Sequence, residues 1–271
     1  RLREEGRGKS EEARSALREA NGVVGIGSPR ASLESNFALQ KLVGIGRFST
    51  GLSAFDQRGV ELALKILREG PARTPSLAEV ELADAVLVLG ADPTNEAPML
   101  DFAIRQAMRK APLNIARKLN VPDWDANAIA TALQGAKGKL YIAAPWAIKI
   151  AEIALETVSL APDAIAGLAS EIDHAVGQTA GQPGEGLAAR IGADLMDARQ
   201  PLVVTSISAG PEVMKAAANI AWALIGCGKD CWLSIIVPEA NTMGVGMLGG
   251  LSVEEALSRV GNGEADTIVV L

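Results

Sequence analysis

Apolar residues follow two rhythms along this chain: short unbroken runs, and longer stretches where they recur every three or four positions. The unbroken runs are Val23–Ile26, Ala85–Leu89, Lys139–Ala144, Pro201–Thr205, Trp232–Val237 and Thr267–Leu271. Runs of this length without alternation predict strands buried on both faces. Leu155–Leu160 reads as an edge strand, and Gly46–Gly51 as a linker or short strand. The slower rhythm predicts helices over Ser10–Ala20, Glu61–Glu69, Ala128–Leu133, Ala147–Ala154, Ala161–Val176, Leu187–Ala198 and Pro211–Ile225, with another opening at Ser252. A further helix, capped by Ser32 or Ser35, turns Phe37, Leu39, Leu42 and Val43 inward. Strand, turn and helix in repetition predict an α/β protein with parallel sheets flanked by helices.

The most complete unit is Asp84–Lys110. Its strand, Ala85–Leu89, leads through Gly90–Pro98 into a helix with Met99, Phe102, Ala103, Ile104, Ala107 and Met108 at helical spacing. Pro112–Asp125 then reads as an irregular connection. Pro93 and Pro98 restrict the loop, while Asp92, Thr94 and Asn95 can bond nearby amides. Ligands of such sheets bind at the carboxyl ends of the strands, so chemistry is expected at Gly90–Pro98.

Composition narrows the classes. The chain has 271 residues, 48% hydrophobic and 21% charged, enough for one large or two modest cores. Aromatics at 3% and a net charge of −6 disfavour nucleic acid as a partner. No apolar window approaches the ~20 residues of a membrane span, so a soluble, cytoplasmic chain is expected. Two cysteines, Cys227 and Cys231, and one histidine, His174, are too few for a structural zinc site or a cysteine-ligated iron–sulfur cluster. Both cysteines are expected to be buried structural thiols, and His174 a surface or boundary residue rather than a base. The chain opens at Arg1 and closes within an apolar run, which suggests a piece of a longer polypeptide.

Two glycine patterns invite a dinucleotide. Gly25-Ile26-Gly27 lacks the third glycine, whose place is held by Arg30. Arg30 at the mouth of a strand either holds a phosphate or carboxylate or pairs with an acidic neighbour, the commoner fate. Gly244–Gly249 is a literal GxGxxG, but six residues separate it from the preceding strand. A glycine loop packed at the strand ends is the better reading there.

SPRASLESNFALQKLVG, VLVLGADPTNEAPMLDFAIRQA, PEANTMGVGMLGG and EADTIVVL resemble the family of large iron–sulfur subunits of bacterial NADH-quinone oxidoreductase, respiratory complex I. That family is in turn similar to the molybdopterin oxidoreductases, such as formate dehydrogenase. The resemblance implies the later, cluster-free α/β portion of the subunit, with two domains, one inserted in the other. Residues 1–46 and 185–271 would form the first domain and residues 47–184 the inserted one. The Gly-rich stretch Gly177–Gly186 supports the second boundary.

In the catalytic relatives a cysteine, selenocysteine or serine reaches the metal shortly after the first strand–loop–helix unit. Here that stretch is Gly46–Gly51, with Ser49 only loosely placed. Glu239–Gly244 stands where those relatives carry a polar pterin-binding loop, and Asp92-Pro93-Thr94-Asn95 is closer to the family pattern. The resemblance therefore implies a vestigial pterin-nucleotide pocket drawn from Ser28, Arg30, Asp92, Pro93, Thr94 and Asn95, with no catalytic residue and no metal ligand. It implies no cofactor in this portion, the iron–sulfur clusters being held by residues outside it.

The expected role is a structural and interaction portion of a complex that passes electrons from NADH to quinone, on the cytoplasmic side of the bacterial inner membrane. Its partners would be the remainder of its own polypeptide and neighbouring peripheral-arm subunits, with no direct membrane insertion. Two alternatives stand beside it: part of an active molybdenum- or tungsten-pterin oxidoreductase, and a free-standing nucleotide-binding protein.

Overall fold

The computed structural model describes residues 22–118, 120–122, 124–133, 136–178 and 185–271. The helix expected over Ser10–Ala20 and most of the Gly-rich stretch lie outside the described residues. The fold is α/β with parallel sheets, and it divides into two units, residues 1–61 with 239–271, and residues 62–238.

In the larger unit the strands are β3 (Ala85–Leu89), β4 (Lys139–Ala144), β5 (Glu156–Ser159), β6 (Pro201–Ser206) and β7 (Trp232–Ile236), in the order β5-β4-β3-β6-β7. Every pairing is parallel, and Ala85 lies beside both Lys139 and Pro201. β3 is central, and all five of its residues are buried, as an apolar run flanked by strands on both sides requires. Val86 and Val88 pack with Ala103, Ile104, Ala107 and Met108 of a long helix, Pro98–Lys118, over one face. The opposite face is covered by the helices Pro162–Gln178, Leu187–Asp197 and Pro211–Gly226.

The smaller unit has a parallel sheet of three strands in the order β2-β1-β8, where β1 is Val23–Ile26, β2 is Phe48–Ser49 and β8 is Thr267–Val270. Helix α1 (Leu33–Val43) rests on β1 at Gly25, where a Cβ would come within 2.9 Å of Leu39 and 3.0 Å of Val43. A second helix, Val253–Gly261, packs against the other face through Ala256 and Val24. Both helices begin on serine caps: Ser32 accepts from the Ser35 amide, and Ser252 forms a reciprocal box with Glu255.

Several expectations are corrected. The boundaries of the units fall at 61/62 and 238/239, not at 46/47 and 184/185, because β6 and β7 extend the sheet of β3 rather than that of β1. Phe37 and Leu42 face outward at 46% and 61% exposure, and the inward row of α1 is Asn36, Leu39 and Val43. Met99 and Phe102 are exposed as well, and their helix runs through Pro112 to Lys118 where an irregular connection was expected. Lys149–Ile153 is a 3-10 turn in place of the helix expected over Ala147–Ala154. Gly244–Gly249 is no loop: Thr242–Leu248 is helical. Cys227 is exposed, while Cys231 is buried and its thiol is pushed up to about 12 by that burial.

Candidate functional site

Each sheet has a carboxyl end, and the residues singled out from the sequence are divided between them. In the larger unit the strand order reverses direction between β3 and β6, which makes the loops after these strands the switch point where doubly wound sheets bind ligands. Gly90 ends β3 with φ 65°, and a Cβ there would lie 2.6 Å from that of Ala209, so the two loops meet directly. Asp92 follows, 6% exposed, and caps the short helix Pro93–Glu96, with Pro93 in its first turn. Both Asp92 oxygens accept from Asn95, one from its amide at 3.4 Å and the other from Nδ2 at 2.7 Å. Thr94 Oγ1 donates to Asp101 at 3.2 Å; Arg105 in turn holds Asp101 at 2.9 Å and Glu152 at 2.7 Å. The polar residues of this loop therefore bond mainly one another.

Glu96 closes the same loop, and sequence reasoning passed over it. One of its carboxylate oxygens, Oε2, is buried without a hydrogen-bond partner. Burial pushes the carboxyl above its ordinary range; the Ser206 hydroxyl works against that shift, and the negative Asp92 adds to it. A raised carboxyl pKa means that the folded chain holds this proton more tightly than the unfolded chain does. Stability therefore falls as pH rises from the ordinary carboxylate value through the raised one. Glu96→Gln is expected to raise the thermal midpoint at pH 7 and to flatten its pH dependence above about pH 4.5. Melting curves between pH 4 and 7 check this, and an unchanged slope would contradict it.

In the smaller unit the exit of β1 is a turn, Ser28-Pro29-Arg30. Asn36, fully buried on α1, spans it: Oδ1 accepts from the Ser28 amide at 2.9 Å, and Nδ2 donates to the Ser28 and Ser32 carbonyls, both at 2.9 Å. Asn241 braces the turn from the other end of the chain, its amide donating to Pro29 O and its Nδ2 to Ala31 O, each at 3.0 Å. Ser28 Oγ accepts from the Arg30 amide at 3.2 Å. The Arg30 guanidinium donates to Glu239 at 2.7 Å. That bond raises the Arg30 pKa and lowers that of Glu239. Ser49 is a fully buried residue of β2 whose Oγ accepts from the Gly51 amide at 3.2 Å.

Ser28 and Arg30 thus belong to one unit, and Asp92, Pro93, Thr94 and Asn95 to the other. Among the described residues no three His, Cys, Asp or Glu side chains converge as a metal site would require. Neither Asn36 nor Asn241 was singled out as a site residue from the sequence, although Asn241 lies within the Glu239–Gly244 stretch. The available signal was a polar residue on the inward row of α1, one turn before Leu39.

A family model for molybdopterin oxidoreductase matches residues 11–179. The G subunit of NADH-quinone oxidoreductase from Salmonella typhimurium is 41% identical over 263 residues, 94% of this chain and 29% of that protein. Its counterparts in Escherichia coli K12 and Pseudomonas putida are 40% and 42% identical, over 94% and 92% of this chain. The chain spans about 29% of the length of the curated relatives it matches. A crystal structure of the formyltransferase/hydrolase complex from Methylorubrum extorquens with methylofuran shares the fold, with a TM-score of 0.57 at 16% identity over 95% of this chain and 70% of that one. With well over half of its length matched by that family model, the chain belongs to the molybdopterin oxidoreductase family.

Proposed function

We propose that this chain is a cluster-free structural and interaction portion of the peripheral-arm subunit of an NADH:quinone oxidoreductase, and that none of its residues carries electrons or does catalysis. Its relatives are named as the G subunit of that oxidoreductase. The observation that carries the reading is the exit of β1, where Asn36, Asn241 and Glu239 occupy the turn amide, the turn carbonyls and the Arg30 guanidinium. A pterin dinucleotide would ask the strand ends for free donors toward its phosphates and for a side chain able to reach the metal. The residues present do not fit that group. Arg30 is already paired, Ser49 is sealed within β2, and Asp92 and Glu96 set negative charge at the mouth of β3.

The partners on this reading are the rest of the longer polypeptide and neighbouring peripheral-arm subunits, on the cytoplasmic side of the bacterial inner membrane. No helix among the described residues is long and apolar enough to cross a membrane.

The test uses the assembled complex. Arg30→Ala breaks an exposed ion pair and is expected to leave NADH:quinone turnover per assembled complex within about twofold of the parent, since such pairs contribute only ~0–1 kcal/mol. Elemental analysis of the same preparation is expected to find no molybdenum or tungsten. A turnover loss of about tenfold (~1.4 kcal/mol) at normal assembly, or stoichiometric molybdenum or tungsten, would sink the proposal and favour the pterin enzyme.

A further inference from the structure

The two sheets present four edges, and three of them are managed. At the outer edge of β2, Leu251 donates to Phe48 O at 2.8 Å and accepts from the Thr50 amide at 3.0 Å. Arg73 covers β7, its carbonyl accepting from the Leu233 amide at 3.1 Å. β5 is short and carries Glu156, held by Arg190 at 2.8 Å, and Ser159. Charge, short length and covering backbone are how sheets keep strand edges from pairing with other chains.

β8 is as short as β5, but among the described residues it carries no charge and no covering backbone. Its sequence Thr267-Ile268-Val269-Val270 is uncharged and β-branched throughout. The amides of Thr267 and Leu271 donate toward β1, to the carbonyls of Gly22 and Ile26. Backbone groups of a parallel strand alternate sides with period two, so Val269 points the same way and the N–H and C=O groups of Ile268 and Val270 point to the open side. The same two residues are 39% and 65% exposed. They stand beside Val24 and Ile26, on the face that buries Val24 against Ala256. An apolar face and a row of unpaired backbone groups thus meet on one strand.

We infer that the open edge of β8 is the docking site of a further parallel β-strand, apolar and β-branched, supplied by the longer polypeptide outside residues 1–271. The inference rests on the proposed scaffold role and gives the form of one partner. The occupant follows from three observations. All strands of this sheet are parallel, and parallel sheets are found buried on both faces. The exposed groups at Ile268 and Val270 match one strand in register, not a groove for a helix. In the relatives, about 71% of the polypeptide lies outside the matched segment, the complement of the 29% covered.

Hydrogen exchange on the full-length polypeptide within its complex reads this directly. The amides of Ile268 and Val270 are expected to exchange about a hundred-fold more slowly than open-edge amides do. Val270→Pro deletes one open-side N–H, leaves the bonds to β1, and is expected to abolish the protection of Ile268, whereas Val270→Thr preserves it. Fast exchange at both amides would overturn the inference. So would protection that appears only as concentration rises, which would make the occupant a second copy of this chain. Either result would leave turnover per assembled complex unchanged, so the docking site can fail while the scaffold role stands.

Discussion

Gly51→Ala is expected to cost about 3–5 kcal/mol, enough to leave the smaller unit largely unfolded. Two effects add at this one position. Gly51 has φ 76°, in the left-handed region where a side chain costs about 1 kcal/mol. A Cβ there would also lie 2.0 Å from the Gly27 carbonyl oxygen and 2.8 Å from its carbon. Both atoms are backbone, so no rotamer can relieve the overlap. The Gly27 amide is tied on its other side to Ser49 O at 2.8 Å, which fixes the distance between β1 and the Gly51 turn. Gly44→Ala separates the two effects. Gly44 has φ 82° but nothing within 4 Å of its would-be Cβ, and its loss should stay near 1 kcal/mol. Denaturant midpoints of the two variants test the contrast. Equal losses would show that the close approach between Gly51 and Gly27 contributes nothing.

Much of the fold was legible in the hydrophobic pattern because strands buried on both faces write themselves as unbroken apolar runs. Val23–Ile26, Ala85–Leu89 and Lys139–Ala144 fall within their observed limits for that reason. Helix faces were harder to read. In α1 the apolar residues Phe37 and Leu42 drew the predicted face toward themselves, yet packing on Gly25 turns Leu39 and Val43 inward and brings Asn36 with them. Leu33 and Phe37, left outside, show that apolar character alone does not place a residue in the core of its own unit.

The division into units was misplaced for a related reason. A Gly-rich stretch signals a loop, but which sheet a later strand joins is set by long-range pairing, such as Leu89 beside Thr205, that local composition does not encode. At the candidate site, the position of Asp92 was readable from its neighbours Pro93 and Asn95. Its bonding was not, because a carboxylate before a proline caps a helix or waits for a ligand with the same sequence signature. Glu239, remote in sequence from Arg30, could be paired with it only once the chain was folded.

Asn36→Ala should destabilise the smaller unit by about 2–4 kcal/mol, since the turn amide and two carbonyls lose a buried partner together. The loss alone would not distinguish hydrogen bonding from a cavity, and Asn36→Asp does. Aspartate has nearly the same shape and keeps an acceptor for the Ser28 amide, but it sets a carboxylate against the Ser28 and Ser32 carbonyls where Nδ2 now donates. Burial beside two carbonyl oxygens raises the pKa of that carboxyl above its unfolded value. The folded chain then binds the proton more tightly, so the stability of Asn36→Asp rises as pH falls through the raised pKa, while Asn36→Ala stays level relative to the parent chain. Protonated aspartic acid can donate to one carbonyl only, so the recovery should be partial. Denaturation midpoints for the three chains between pH 4 and 8 decide the matter. Parallel curves for Asn36→Asp and the parent would mean that Asn36 fills space without holding the turn. A converging pair would show that the turn at the exit of β1 is held by the donors and acceptor of Asn36 as well as by its volume.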